Sequence, residues 1–264
     1  MALRLTILGC GSSGGVPRVG QGWGVCDPVN PRNLRRRCSL LVEQIGADGT
    51  TRVLIDAGPD LRAQLLHAGV THLDAVLFTH PHADHTHGID DLRPLGLHMR
   101  KLIDAYMDAH TSAVVRAAFG YAFETPAGSL YRPLLADCRI SAGRRFAIEG
   151  AGGSIAFRPF RLEHGEIDAL GFRFDDVAYS PDLVAVPEES FGALEGLDLW
   201  IVDCLRYEKH PTHLCVGDAM ALIARVKPKR AVLTDLGVEI DYATIARETP
   251  HDVVPAFDGM VLDA

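Results

Sequence analysis

The residues from Asp74 to Arg93, DAVLFTHPHADHTHGIDDLR, place four histidines and four aspartates in twenty positions directly after an apolar run. Within them His80, His82, Asp84 and His85 fall inside six residues. Imidazole nitrogens and carboxylate oxygens are the donors that suit Zn²⁺, Mn²⁺ or Fe²⁺. The LFT run ends at a His–Pro step, and the residue before a proline is pushed toward extended geometry. The backbone therefore leaves a strand at His80 and enters a tight polar loop. In such a segment residues two apart share a side, so His80 and His82 can converge on one cation. Asp84 and His85, adjacent in sequence, diverge enough to reach a second. A lone histidine is usually a satisfied polar side chain; this density at a strand end points to a metal centre.

Strands must deliver such a loop, and apolar runs of strand length closed by Gly, Pro or Asp recur along the chain. In the first half they are LRLTILG near the start, CSLLVEQ from Cys38, RVLIDAG from Arg52 and DAVLFTH from Asp74. SIAFRPFRLEH, LGFRF, DVAYS, LDLWIVDC and RAVLTDL repeat the theme in the second. Helical segments are read at PDLRAQLLHAG from Pro59, at HTSAVVRAAFGYAF from His110, and at VGDAMALIARV from Val216, where Leu222, Ile223 and Val226 are apolar. Two β-rich halves with helices outside are the architecture this order predicts. Gly20 to Arg37 reads as a long loop, with the basic cluster Arg35, Arg36 and Arg37 as a solvated part of it.

A hydrophobic content of 47% supports a sizeable core without disulfides or a structural metal. The net charge of −8 argues against a protein wrapped in nucleic acid. The six cysteines are scattered with no C-x-x-C pair, which suggests reduced thiols rather than a disulfide framework. No segment approaches the roughly 18 apolar residues of a membrane span, and the apolar run at the N-terminus is too short for a signal segment. A soluble, cytoplasmic protein with no membrane partner is expected, and a homodimer is left open.

The stretch His80–His85, H-P-H-A-D-H, is similar to the H-x-H-x-D-H signature of the metallo-β-lactamase superfamily. That resemblance implies an α/β fold, a four-layer αββα sandwich, as one domain over residues 1–264. It also implies roles for residues further along. Asp56 in LIDAG resembles the aspartate that orients the ligand loop from behind, His164 in FRLEHG the third histidine of the first metal site, and Asp182 in AYSPD the carboxylate that bridges two divalent ions, Zn²⁺ or Mn²⁺. His80, His82 and His164 would hold one ion; Asp84, His85, Asp182 and Asp235 would hold the other.

The opening TILGCGSSGGVPR resembles the phosphodiesterase branch of the superfamily, which includes tRNA 3′-processing endonucleases and the cyclic-phosphate phosphodiesterase of phosphonate breakdown. Glycines in such a turn permit positive φ and close backbone approach to an anion, so Ser12, Ser13 and Gly14 are candidate substrate contacts. In KHPTHLCVGDAMALI, His213 matches the histidine thought to act as general acid in the phosphonate-pathway enzyme. An imidazole titrating near neutrality can protonate a leaving alkoxide.

Two departures from the pattern stand out. The last ligand is usually a histidine in L-T-H, whereas AVLTDLGVEID puts Asp235 there. A carboxylate is harder and charged, which predicts a second site that persists but is weaker for zinc and more tolerant of Mn²⁺. The phosphonate-pathway enzyme also has a structural zinc held by three loop cysteines and a histidine. Here VGQGWGVCDP keeps only Cys26, and Val238 stands where that histidine would be. No structural zinc is expected; packing of Trp23 and the loop's arginines should hold the loop.

The function implied is a metal-dependent phosphodiesterase acting on a small cyclic or linear phosphodiester, such as a ribosyl cyclic phosphate or a nucleotide-like ester. A metal-bridging hydroxide would attack, Asp84 would orient it, and His213 would protonate the departing oxygen. Three alternatives stay open. One is a thioesterase or lactonase of the same superfamily. Another is a nuclease acting on RNA or DNA ends, disfavoured by the absence of a basic extension. The third, raised by Asp235, is a weakly catalytic, metal-binding, phosphate-sensing domain.

Overall fold

A computed structural model describes residues 2–263. Two seven-stranded sheets face each other. The first contains β1 (Ala2–Gly9), β2 (Ser39–Ile45), β3 (Thr50–Ile55), β4 (Ala75–Leu77), β5 (Ile103–Met107) and β6 (Leu135–Arg139) in chain order, with β14 (Met260–Asp263) beside β1. The second contains β7 (Phe146–Gly150), β8 (Gly153–His164), β9 (Ile167–Phe174), β10 (Val177–Ser180), β11 (Leu199–Asp203), β12 (Arg230–Thr234) and β13 (Val253–Pro255), again in chain order. In each sheet the meander is antiparallel and the crossover strands are parallel: β3 to β6 in one, β10 to β13 in the other.

The patterning follows from burial. Leu3, Leu5 and Ile7 alternate along β1 and point at the other sheet, where Phe157, Phe172, Tyr179 and Ile201 meet them. The central parallel strands are covered on both faces and so read as unbroken apolar runs. Helices α1 (Leu61–His67) and α4 (Ala109–Phe123) cover the outer face of the first sheet through Leu61, Leu65 and Val115, packed against Leu54, Val76 and Ala105. Between them α2 (Ala83–Thr86) and α3 (Arg93–Met99) continue the ligand loop. On the second sheet α5 (Val216–Val226) and α6 (Tyr242–Glu248) place Ala219, Ile223 and Ile245 against Trp200, Val202 and Leu233. The result is the expected four-layer αββα sandwich. Among the described residues no helix is long and apolar enough to cross a membrane, and all six cysteines are free.

One expectation fails. Arg35 is not part of a solvated cluster: only 2% of it is exposed. Its Nη1 donates to the carbonyls of Gly237 at 3.1 Å and Ile240 at 2.9 Å, and its Nη2 to Asn33 Oδ1 at 3.0 Å. The guanidinium thus ties the long loop to the segment after β12. Cys26, Val16 and Val238 form a small apolar cluster there, with Trp23 packed against it. Arg36 and Arg37 are partly exposed and salt-bridge Asp258 and Asp60.

Candidate metal centre

Parallel strands collect functional groups at their carboxyl ends, where loops leave the sheet. Asp56 follows β3, His80 lies just past β4, His164 ends β8, Asp182 follows β10, Asp203 ends β11 and Asp235 follows β12. Both sheets therefore empty into one place. Asp56 and Asp235 turn the chain there with φ of 66° and 58°, a left-handed conformation that Asp and Asn tolerate better than most residues. Two glycines bring the ligand loop close. A Cβ on Gly58 would lie 2.0 Å from the carbonyl of Asp84, and one on Gly88 2.0 Å from the carbonyl of Gly58.

Asp56 is fully buried and aims the loop. Its Oδ1 accepts the Thr79 amide at 2.8 Å, and its Oδ2 accepts the Thr79 hydroxyl at 2.9 Å and His85 Nδ1 at 2.8 Å. With Thr79 donating to Asp56, its oxygen receives His80 Nδ1–H at 2.9 Å. His164 Nδ1 donates to the Thr212 carbonyl at 2.8 Å. In all three imidazoles Nδ1 is occupied and Nε2 is turned inward, the outer-shell arrangement that fixes a metal-binding tautomer.

The inward atoms converge. His82 Nδ1 lies 3.0 Å from His80 Nε2 and 3.2 Å from His164 Nε2. His85 Nε2 lies 3.2 Å from Asp182 Oδ1 and 3.3 Å from Asp84 Oδ2. Asp182 stands between the groups, its Oδ2 3.9 Å from His80, 3.8 Å from His164 and 3.9 Å from His213. Asp235 lies against His213. Among the described residues it enters a tight donor triad only with Asp203 and His213, its Oδ2 3.1 Å from His213 Nδ1.

The electrostatics suit cations. Burial holds His80 well below and His164 below the ordinary imidazole value, so both are neutral and ligand-competent. Burial raises Asp235 well above the usual carboxylate range, with Asp182 adding to it. Burial opposes a charged His85, yet Asp182, Asp84 and Asp56 carry it well above its usual value. His213 is pushed up to about 12, because Asp235 and Asp203 outweigh its desolvation. The buried carboxylates thus draw both imidazoles toward the charged form. Moreover His85 Nε2, Asp182 Oδ1, Asp203 Oδ1 and Asp235 Oδ2 are buried without an aligned hydrogen bond. Buried polar atoms left this way are costly, and their convergence fits divalent ions.

Several participants carried no sequence motif. Asp203 accepts His213 Nδ1 at 2.9 Å and the Leu183 amide at 2.9 Å, so it anchors both His213 and the neighbour of Asp182. Its signal was available: a carboxylate closing LWIVD, as Asp56 closes LID. Thr79 and Thr212 act through hydrogen bonds that pattern alone does not reveal. Ser12, Ser13 and Gly14 line a cavity beside His213.

Comparison with known proteins agrees with this geometry. Residues 51–235 match the family model described as the Beta-lactamase superfamily domain. A crystal structure of a new diphosphatase from the PhnP family shares 33% identity at a TM-score of 0.88, over 100% of this chain and 98% of that one. An octanoyltransferase of Porphyromonas gingivalis (strain ATCC BAA-308 / W83) is 33% identical over 98% of this chain and 51% of its own length, so the chain spans about half of that protein. The short form of human tRNase Z shares the fold at a TM-score of 0.65 and 18% identity, over 98% of each chain. With its donor cluster at the joined ends of two sheets and the family match running from β3 to Asp235, the chain belongs to the metallo-β-lactamase superfamily.

Proposed function

We propose that this metallo-β-lactamase-fold hydrolase is a divalent-metal phosphodiesterase that cleaves a small cyclic or linear phosphodiester. The observation that carries this reading is the placement of His213. Asp203 takes its Nδ1, its Nε2 faces Asp182, and its ring forms one wall of the adjoining cavity. A proton held at Nε2 is positioned for an oxygen leaving toward that cavity. General-acid help of this kind is worth about 10²–10⁴-fold when the leaving group is poor. His80, His82 and His164 would hold one ion, and Asp84, His85 and Asp235 the other, with Asp182 between them. Bound divalent ions would supply phosphoryl polarisation and a water of lowered pKa. Asp84, partly exposed at the rim, orients the attacking water. The likeness to a diphosphatase over nearly its whole length supports phosphorus chemistry.

A second reading, hydrolysis of an acyl thioester, draws on the octanoyltransferase relative. That relative is matched over about half its length, so it weighs less. A panel separates the two: bis-aryl phosphodiesters, cyclic nucleotides, a ribosyl cyclic phosphate, octanoyl thioesters and oligonucleotides, each with Zn²⁺ and with Mn²⁺. Phosphodiester turnover exceeding thioester turnover is the expected result. Thioester hydrolysis alone would overturn the proposal.

A further inference from the structure

A separate cavity of about 830 Å³ lies between α3 and the irregular connection from α4 to β6. It shares no residue with the metal centre or with the cavity beside His213. Its size falls within the range of small-molecule sites. The apolar wall comes from Leu97, Leu102, Leu130, Tyr131 and Leu134. Leu134 is buried, but Leu130 is 99% exposed, Leu97 68% and Leu102 45%. Exposed leucines scattered singly are ordinary; three on one concavity mark a place where something binds.

The rim is basic. Arg93, Arg100, Lys101 and Arg132 line the cavity and no acid does, in a chain with 34 acidic against 26 basic residues. Two of the four are already matched. Arg93 Nη2 lies 3.8 Å from Asp90, with the guanidinium 5.7 Å from the Tyr131 ring centre, and Lys101 Nζ lies 3.5 Å from Asp74. Among the described residues the Arg100 and Arg132 side chains enter no ion pair and no hydrogen bond; Arg132 offers only its carbonyl, to Arg93. Arg100 also ends α3 with a left-handed φ of 56°. Glycine is the usual residue there, and a side chain in that conformation has a cost.

We infer that this cavity is a binding site for a small amphipathic organic anion, whose apolar body lies on the leucines and whose acidic group pairs with Arg100 and Arg132. Guanidinium groups bind carboxylates, sulfonates and phosphates through charge-assisted hydrogen bonds, and an apolar wall that excludes water strengthens them. A concave wall suits an enclosed ligand rather than a flat bilayer. A two-fold pairing of this face would set the unmatched guanidiniums against their own copies, which opposes a second copy of the chain as occupant.

The test uses metal-loaded protein and three probes: anilinonaphthalene sulfonate, a fluorescent apolar anion, then decanoate and decyltrimethylammonium as competitors. One saturable fluorescent site per chain, emptied by decanoate and not by the cation, is the expected result. Arg100→Gly relieves the left-handed residue, so its Tm should stay level or rise. Its affinity for both anions should nevertheless fall about 10- to 100-fold, the range for losing a hydrogen bond to a charged group. Arg132→Gln and Leu130→Ser, at exposed positions, should weaken binding without lowering Tm. His82→Ala, altered at the metal centre, should bind both anions as the wild type does. Absence of a saturable site overturns the proposal, as does binding that Arg100→Gly and Arg132→Gln leave unchanged. Loss of binding in His82→Ala would place the anion at the metal centre and overturns it too. Sedimentation and vesicle flotation test the other occupants. A dimer that Leu130→Asp dissociates would assign the cavity to a second copy. Flotation with phosphatidylglycerol vesicles that Leu130→Asp abolishes would assign it to a bilayer, and either result overturns the small-anion site.

Discussion

At the scale of single residues, His213 and Asp235 share one problem, how a buried imidazole is held when two carboxylates compete for it. Asp203 Oδ2 is 2.9 Å from His213 Nδ1 and also fixed by the Leu183 amide, whereas Asp235 Oδ2, at 3.1 Å, has no aligned bond. Asp203 is therefore the positioning partner, and Asp235 keeps an oxygen for a cation. Replacing His213 by Ala should cost about 10²–10⁴-fold in kcat/KM on an alkyl or ribosyl diester. It should cost far less on a nitrophenyl diester, whose phenolate departs unaided, and metal content should be retained. Equal slowing of both esters, or loss of an ion, would show that His213 positions substrate or binds metal instead. Asp235→His makes the companion measurement. An imidazole should tighten Zn²⁺ at the second site, while the leaving-group dependence survives because Asp203 still holds His213.

At the scale of elements, a buried guanidinium ties the long loop to the segment after β12. Arg35 gathers the carbonyls of Gly237 and Ile240 and the side chain of Asn33, while Cys26 Sγ approaches the Ile240 carbonyl at 3.2 Å. Arg35→Met would leave buried acceptors unmatched at about 1–3 kcal/mol each. Denaturant unfolding should therefore show a loss of about 2–5 kcal/mol, with Arg35→Lys intermediate because it keeps the charge but not the fork. Cys26→Ser should change unfolding little and remove no metal; loss of one zinc per chain in that variant would reveal a site in the loop. Sequence could not place Arg35, because its acceptors lie 202 and 205 residues away. The central strands were legible since burial on both faces leaves apolar runs, and the segment from Val216 proved helical over Val216–Val226. β5 (IDAYM) and β6 (LADCR) were missed: acidic residues interrupt them, and β6 is an edge strand. The donor loop was readable because its density is local. Asp203 could be read only as a carboxylate closing a strand, because its role depends on a histidine ten residues on that folding brings back.

At the scale of the whole molecule, the candidate centre is where the two halves meet. His80, His82, Asp84 and His85 leave the first sheet, and His164, Asp182 and Asp235 leave the second. Hydrophobic packing between the sheets needs no ion, since Leu5, Val53, Leu77, Phe157, Phe172 and Ile201 are buried regardless. At the rim, however, Asp182 is a buried carboxylate aimed at donors from both halves. An ion held there binds the folded chain and not the unfolded one, so it adds stability by mass action, about 2.7 kcal/mol when free metal exceeds its Kd a hundredfold. For a chain of this size that corresponds to a rise in Tm of about 5–10 °C. Chelation should lower Tm by that amount, and added Zn²⁺ or Mn²⁺ should restore it. His82→Ala is the discriminating variant because His82 sits at the exposed rim, its Nδ1 turned toward His80 and His164, and belongs to no hydrophobic core cluster. Its metal content should fall sharply, and its Tm in buffer should approach that of chelated wild type and respond weakly to chelator. A wild-type protein that takes up no transition metal on reconstitution, with a Tm indifferent to chelator, would mean that these carboxylates are balanced by protonated His85 and His213 alone.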